Sequence, residues 1–316
     1  MEAFYSNLFV ACISDLQPTE RCILANYHTG WHLDFSTAAR LTRQLFDKEI
    51  DWQMAKSAFQ KTCAWLEHVE NAHVVFVDQI IYPPLLRLVH DPPFALFYKG
   101  ELPDPEIPVL ALCGDNTPTW ESLLASYVFV RELPTSGVRI ATTYANGVDK
   151  SVHRAALDAH ISSLLILDKG IEILHPIARD KVLESCGCVV SEYHPYCQWR
   201  KRYRYEHSRV LVGIAASLLL FQVSLKSLCY QQALFALDHG REIYVHPVSL
   251  EEQRANGSRR LVSEGAQVVG SYRELLAACP WNFPNYQHFN PLRGQTSPIN
   301  GILDIWQVSE NSTVRL

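Results

Sequence analysis

The chain has 316 residues, 48% of them hydrophobic, and a formal charge of −5 at pH 7. This is the composition of a globular protein with room for one large core or two domains. It excludes a disordered chain, and it excludes a chain coated in positive potential, so any nucleic-acid contact must be local. No apolar run reaches the roughly 18 residues of a membrane span, and no basic segment leads into a long apolar stretch at the start, so no membrane contact and a cytoplasmic location are expected. The nine cysteines are scattered and odd in number, which favours reduced thiols. Cys186 and Cys188 have no second pair at zinc-ligand spacing, so no metal is expected.

From Leu8 to about Glu70 apolar residues recur at helical spacing, first in Phe35, Ala38, Leu41 and Leu45 and then in Met54, Phe59, Cys63 and Leu66. The spacing predicts a helical module over 1–75, with a cap offered in Asp34 to Thr37; a packing appendage and a partner-binding module are both open. Next come Tyr82-Pro83-Pro84 and Asp91-Pro92-Pro93, whose prolines rule out a continuous helix, and a short strand is predicted from Phe94 to Tyr98. This lead-in covers 76–105.

From Pro108 to about Ala278 short apolar runs alternate with helical patterns, the form of a parallel sheet with helices on both faces. Strands are predicted at Val109 to Cys113, Val138 to Thr142, Ser163 to Leu167, Cys188 to Ser191, Ser217 to Val223, Glu242 to His246 and Gln267 to Val269. The expected α/β domain is 106–278. Beyond it, 279–316 reads as an irregular tail, since the three helices and hairpin of a winged helix have no pattern there.

Within the α/β region, Arg139 to Leu157 reads as a strand ending at Thr142, a polar turn through Gly147, and a helix opened and capped by Asp149. Free N–H groups and the helix dipole make such a turn an anion site. Downstream, Trp199-Arg200-Lys201-Arg202-Tyr203-Arg204-Tyr205 places four basic and three aromatic residues in seven. Cations neutralise phosphates while aromatic faces stack on unpaired bases. The bland alternative is a surface segment whose arginines pair with the surplus acids and whose aromatics cover the core edge.

The turn resembles the central signature of the DprA/Smf DNA-processing proteins, S-G-x-A-x-G-I-D-x-x-A-H-x-x-A-L. Ala145, Gly147, Asp149, His153, Ala156 and Leu157 match it, while Thr142-Thr143 replaces Ser-Gly and Asn146 replaces a basic residue. Further matches follow in family order: Ser163 to Ile171 with His175-Pro176, Val190-Ser191-Glu192, Gly240 to Pro247, and Gly257 through Gly265-Ala266. The lead-in resembles the family's Y-P-x-x-L and D-P-P segments. The resemblance implies an extended Rossmann-type, doubly wound, mostly parallel sheet, and a sterile-alpha-motif-like helical module before it.

It also implies a single-stranded DNA pocket at the carboxyl ends of the strands, where open parallel sheets place ligands. In that pocket the family's G-S-R reads Gly114-Asp115-Asn116, its R-N-R reads His207-Ser208-Arg209, and its S-G-S-L-x-T-A begins at Ser227. The expected binding residues are therefore Asn116, Thr142, Thr143, Asn146, Lys150 and Ser227 in the inherited pocket, with Arg200, Lys201, Arg202, Tyr203, Arg204, Tyr205 and Arg209 beside it. Lys150 is equally readable as a solvated helix residue.

By resemblance the chain is expected to bind single-stranded DNA without catalysis or cofactor, to protect strands and assist loading of a RecA-type recombinase in recombination or transformation, and to form a homodimer. The altered pocket leaves two alternatives, a scaffold that has lost DNA binding and a nucleotide- or phosphosugar-binding protein.

Overall fold

The computed structural model describes residues 2–26, 35–134, 139–185, 187–251 and 254–279. The expected tail from residue 280 on, Asp34, Val138 at the start of a predicted strand, and Cys186 lie outside these. Four helices come first, α1 (Glu2–Ala11), α2 (Pro18–Asn26), α3 (Phe35–Phe46) and α4 (Trp52–His68). In α4 the Asp51 carboxylate accepts the Met54 N–H at 2.9 Å, and Ala55, Ala58, Thr62 and Trp65 form its buried stripe. The lead-in supplies β1 (Ala72–Phe76), α5 (Pro84–Arg87) and β2 (Ala95–Gly100).

An alternating series follows: β3 (Val109–Gly114), α6 (Trp120–Arg131), β4 (Arg139–Thr143), α7 (Val148–Asp158), β5 (Ser163–Leu167), a 3₁₀ turn at Ile171–Ile173, α8 (Pro176–Glu184), β6 (Cys188–Ser191) and α9 (Tyr203–Ile214). Then come β7 (Ser217–Phe221), α10 (Leu228–Asp238), β8 (Glu242–Val245), α11 (Val248–Glu251), α12 (Asn256–Ser263), β9 (Gln267–Val268) and α13 (Tyr272–Ala278).

All nine strands form one sheet in the order β1-β2-β6-β5-β4-β3-β7-β8-β9. The seven from β3 to β9 pair in parallel, whereas β1 and β2 join antiparallel at the β6 side. The parallel strands are continuous apolar runs, Ser-Leu-Leu-Ile-Leu in β5 and Ser-Leu-Leu-Leu-Phe in β7, because helices cover both of their faces. On one face Leu110, Leu112, Ile140 and Leu219 pack against Tyr127, Phe129, Val148 and Val152 of α6 and α7. On the other, Ala111, Leu164, Ile166 and Leu218 meet Leu86 of α5 and Val210 and Leu211 of α9. Leu8, Leu24 and Trp65 of the N-terminal helices share a core with Phe76, Phe97, Leu165 and Val189, and the Trp65 indole donates to Glu172 at 2.8 Å.

The chain runs from β3 through β4 and β5 to β6, then crosses back along α9 to lay β7 on the other side of β3. Connections leave β3 and β7 in opposite directions, which opens a crevice at their carboxyl ends. The loops after β3, β4 and β5 and the start of α9 all gather there.

Candidate functional site

The turn after β4 is held by a close backbone approach. Gly147 has φ +77°, and a Cβ on it would stand 2.3 Å from the Asp115 carbonyl oxygen, so only glycine fits. The Val148 N–H donates to that same carbonyl at 3.3 Å. This geometry corrects the expected role of Asp149: Gly147 occupies the N-cap position, and the Asp149 carboxylate, only 3% exposed, turns inward. It accepts the Gly114 N–H at 3.3 Å and the Thr143 hydroxyl, tying the ends of β3 and β4 together. Burial pushes this carboxyl up to about 7.

Neither threonine offers its hydroxyl as expected. Thr142 is fully buried, and Thr143 spends its proton on Asp149 while accepting the Ala145 N–H at 3.2 Å. His153, on the same face of α7, is buried against the Tyr144 ring, and burial lowers its imidazole to about 4. Lys150 is not a freely solvated residue: its ammonium lies 5.8 Å from the Tyr144 ring centroid, and desolvation lowers its pKa.

Above this turn lies a cavity of about 300 Å³. Its walls are Asn116 after β3, Thr143 to Asn146 after β4, Ile166 to Lys169 at the end of β5, Trp199, and Arg204 and His207 of α9, with Leu228 opposite. Four of the expected residues, Asn116, Thr143, Asn146 and Arg204, meet here. Tyr144, Asp168 and Lys169 were not singled out in the sequence; the usable signal was their position directly after an apolar strand, which in a parallel sheet is a carboxyl end. Asp115 does not line the cavity, because its buried carboxylate accepts from the Ser224 N–H at 3.3 Å. Ser227 is spent as well: it caps α10 by accepting the Tyr230 N–H at 3.2 Å and donates to Ser224 O at 2.8 Å.

The basic and aromatic segment is partly consumed by structure. From Tyr203 onward it is the opening of α9 rather than a loop before a helix. Tyr203 is fully buried, stacked on Tyr193 at 3.8 Å between ring centroids, so it presents no face to a ligand. Arg209 is likewise buried, paired with the Glu192 carboxylate and 3.7 Å from Asp91, and is not available to a phosphate. Arg200 pairs with Asp15 at 2.8 Å, and Arg202 donates to Ser14 O at 2.6 Å and lies 3.7 Å from Glu206. Lys201, Arg204 and Tyr205 are exposed, and neither cation has an ion-pair partner among the described residues. The Trp199 indole donates to Asp168 at 2.7 Å while 49% of the residue stays exposed, which fixes an aromatic face at the cavity mouth.

Among the described residues no cluster of three or more His, Cys, Asp or Glu could hold a metal ion, and no helix is long and apolar enough to cross a membrane. A cavity lined by cations, amides and a pinned indole suits an anion carrying an aromatic group.

Comparison with known proteins shows what the chain resembles. The sequence model of the DNA recombination-mediator protein A family matches residues 73–280. Protein Smf of Escherichia coli is 30% identical over 226 residues, covering 70% of this chain and 60% of that protein. DNA processing protein DprA of Streptococcus pneumoniae is 26% identical over 199 residues, covering 62% and 70%. The chain thus spans less than two thirds of the Escherichia coli relative's length. The X-ray structure of Streptococcus pneumoniae DprA matches with a TM-score of 0.69 at 19% identity, over 88% of this chain and 99% of that one. DNA processing protein A of Helicobacter pylori, solved for its single-stranded DNA binding mode, matches at 0.55 and 21% identity, over 65% and 95%.

Proposed function

This chain belongs to the DNA recombination-mediator protein A family, the DprA/Smf proteins, and on that premise we propose that it binds single-stranded DNA in the cavity at the carboxyl end of its sheet. The observation that carries the reading is the convergence of Lys169, Arg204 and the Trp199 indole on one concave wall around Asn116 and Asn146. Cations there neutralise phosphates, and a fixed indole takes a base that a duplex would keep stacked. The role is read as non-catalytic by kinship with that family: the Asp149 carboxylate is taken up by the Gly114 N–H and the Thr143 hydroxyl, and His153 is buried against the Tyr144 ring. In the wider process the chain protects exposed strands during recombination or transformation and assists a RecA-type recombinase as a homodimer, by kinship with the proteins it resembles.

Binding of an unstructured oligonucleotide and of a duplex of equal length, each across a salt series, tests this. The expected result is preference for the single strand and a fall in log K with log salt of about 0.7 per phosphate contact. Trp199→Ala should weaken binding by about 1–3 kcal/mol with little change in that slope, because stacking releases no counterions. Equal affinity for both forms, or a weak and salt-independent response, would leave a scaffold that has lost DNA binding.

A further inference from the structure

His207 is 5% exposed and lines the cavity from the first turns of α9. Its Nδ1 lies 2.9 Å from the carbonyl oxygen of Tyr203, one turn earlier in the helix. A carbonyl oxygen can only accept, so Nδ1 carries a hydrogen, and in the neutral ring Nε2 is left with its lone pair and no N–H. The Arg204 carbonyl also lies close enough to favour a proton on the ring, and among the described residues no bond of hydrogen-bonding geometry is made by Nε2. A ring so buried, so oriented and unpartnered on its cavity side is one proton short of being a donor to whatever enters.

We propose that His207 is a proton-gated ligand of this site: a phosphate entering the cavity draws a proton onto Nε2, which then donates to a phosphate oxygen, and single strands are held more tightly as pH falls. The inference rests on the reading of the cavity given above. A neutral Nε2 and a phosphate oxygen are both acceptors and repel, whereas the imidazolium supplies a charge-assisted N–H. The proton comes from solvent, one per site filled, and no covalent bond changes.

The surroundings set the direction of the switch. On its own helix the Tyr203 and Arg204 carbonyls favour the proton and the Arg204 guanidinium opposes it; from the loop after β5, Asp168 favours it, and Lys169 lines the same cavity. From the turn after β4 the cavity receives Tyr144, with Asp149 buried behind Thr143, while Asn116 after β3 and Leu228 of α10 do not titrate. Burial outweighs the Tyr203 carbonyl and Asp168 and holds the His207 imidazole below its ordinary value, so the ring in the unliganded chain is mostly neutral at pH 7. A bound phosphate reverses the balance by placing a negative charge against the ring.

The test is the binding of oligothymidylate of about 20 nucleotides to the full chain between pH 5.5 and 8.5 at fixed ionic strength. Titration calorimetry in two buffers of different ionisation enthalpy then counts the protons taken up. The parent should tighten about fivefold or more from pH 8 to pH 6, within the tenfold per pH unit that one linked proton allows, and should take up protons on binding. His207→Gln should lose that dependence and bind weakly throughout; His207→Arg, charged at every pH, should bind at pH 8 as tightly as the parent at pH 6. In an Asp149→Asn background, where the buried carboxyl of pKa about 7 is gone, the uptake should persist.

A parent that binds with no net proton uptake overturns the inference and leaves the cavity reading intact, and so does a folded glutamine variant with the parent's pH profile. Uptake that vanishes with Asp149→Asn assigns the proton to the carboxyl and overturns it too. A parent that binds no oligonucleotide at any pH overturns the cavity reading itself. The calorimetric count needs only the unaltered chain, so a misfolded variant does not blunt the test.

Discussion

Thr142, Thr143, Asp149 and His153, in the turn and helix after β4, are all buried, and the Asp149 carboxylate, bonded to the Gly114 N–H and the Thr143 hydroxyl, fastens β3, β4 and α7 to one another. Trp199, Arg200, Arg202 and Tyr203, before and at the start of α9, are fastened too, but to Asp168, to Ser14 and Asp15 of the α1–α2 connection, and to Tyr193. The first segment turns polar side chains into scaffold and leaves the cavity chiefly Tyr144 and Asn146. The second spends two of its cations on the N-terminal helices and leaves Lys201, Arg204 and Tyr205 at the surface. A count of charges along the chain therefore overstates the charge a ligand meets, and the difference between the segments lies in which neighbours compete for each side chain.

The strongest way to break this comparison is Glu192→Ala. If Arg209 is a structural cation, leaving it in the interior with only Asp91 at 3.7 Å should cost up to about 3–5 kcal/mol of stability in urea denaturation. If it is instead a phosphate ligand held in check, stability should stay near the parent's and oligonucleotide affinity should rise.

Next in size is Asp149→Asn, which sharpens the inward half of the comparison. The folded pKa of about 7 lies above the ordinary carboxylate value, so this group's contribution to stability is fully present below about pH 4 and is lost as pH rises through 7. The stability of the asparagine variant relative to the parent should therefore improve from pH 4 to pH 8, by at most about 1.4 kcal/mol per pH unit. His153 titrates with the opposite sign but is common to both proteins and cancels in the difference. Unfolding curves whose difference is flat with pH would place Asp149 in contact with solvent.

The smallest effect separates free from spent cations. Lys201→Ala with Arg204→Ala should lower the salt slope of single-strand binding by about 1.4, at 0.7 per phosphate, while Arg200→Ala with Arg202→Ala should change it by less than half as much. Equal losses from the two pairs would mean that Asp15 and Ser14 release their arginines when DNA binds.

The sheet was largely legible because strands buried on both faces are written as unbroken apolar runs, as in Ser163–Leu167 and Ser217–Phe221. Strand β1 escaped, since Ala-His-Val-Val-Phe is short, follows directly on a helical pattern, and carries an exposed His73 whose ring stacks on Tyr98. At the site, Asn116, Thr143, Asn146 and Arg204 could be gathered from the resemblance and from the rule that parallel strands present ligands at their carboxyl ends. The fates of Arg200 and Arg202 could not, because their partners lie 185 and 188 residues away in the chain. Asp149 misled for a local reason: an aspartate near a helix start reads as a cap, and only the positive φ of Gly147 turns its carboxylate inward.

The contact of Trp199 also has a thermodynamic consequence. A tryptophan that is already immobilised in the unliganded chain has surrendered its rotamer freedom during folding rather than during association, a saving of about 0.5–1.5 kcal/mol at the moment of binding. The cavity mouth is thus preorganised by Asp168, at the end of β5, whose carboxylate tunes affinity through entropy by what it withholds from the indole's motion.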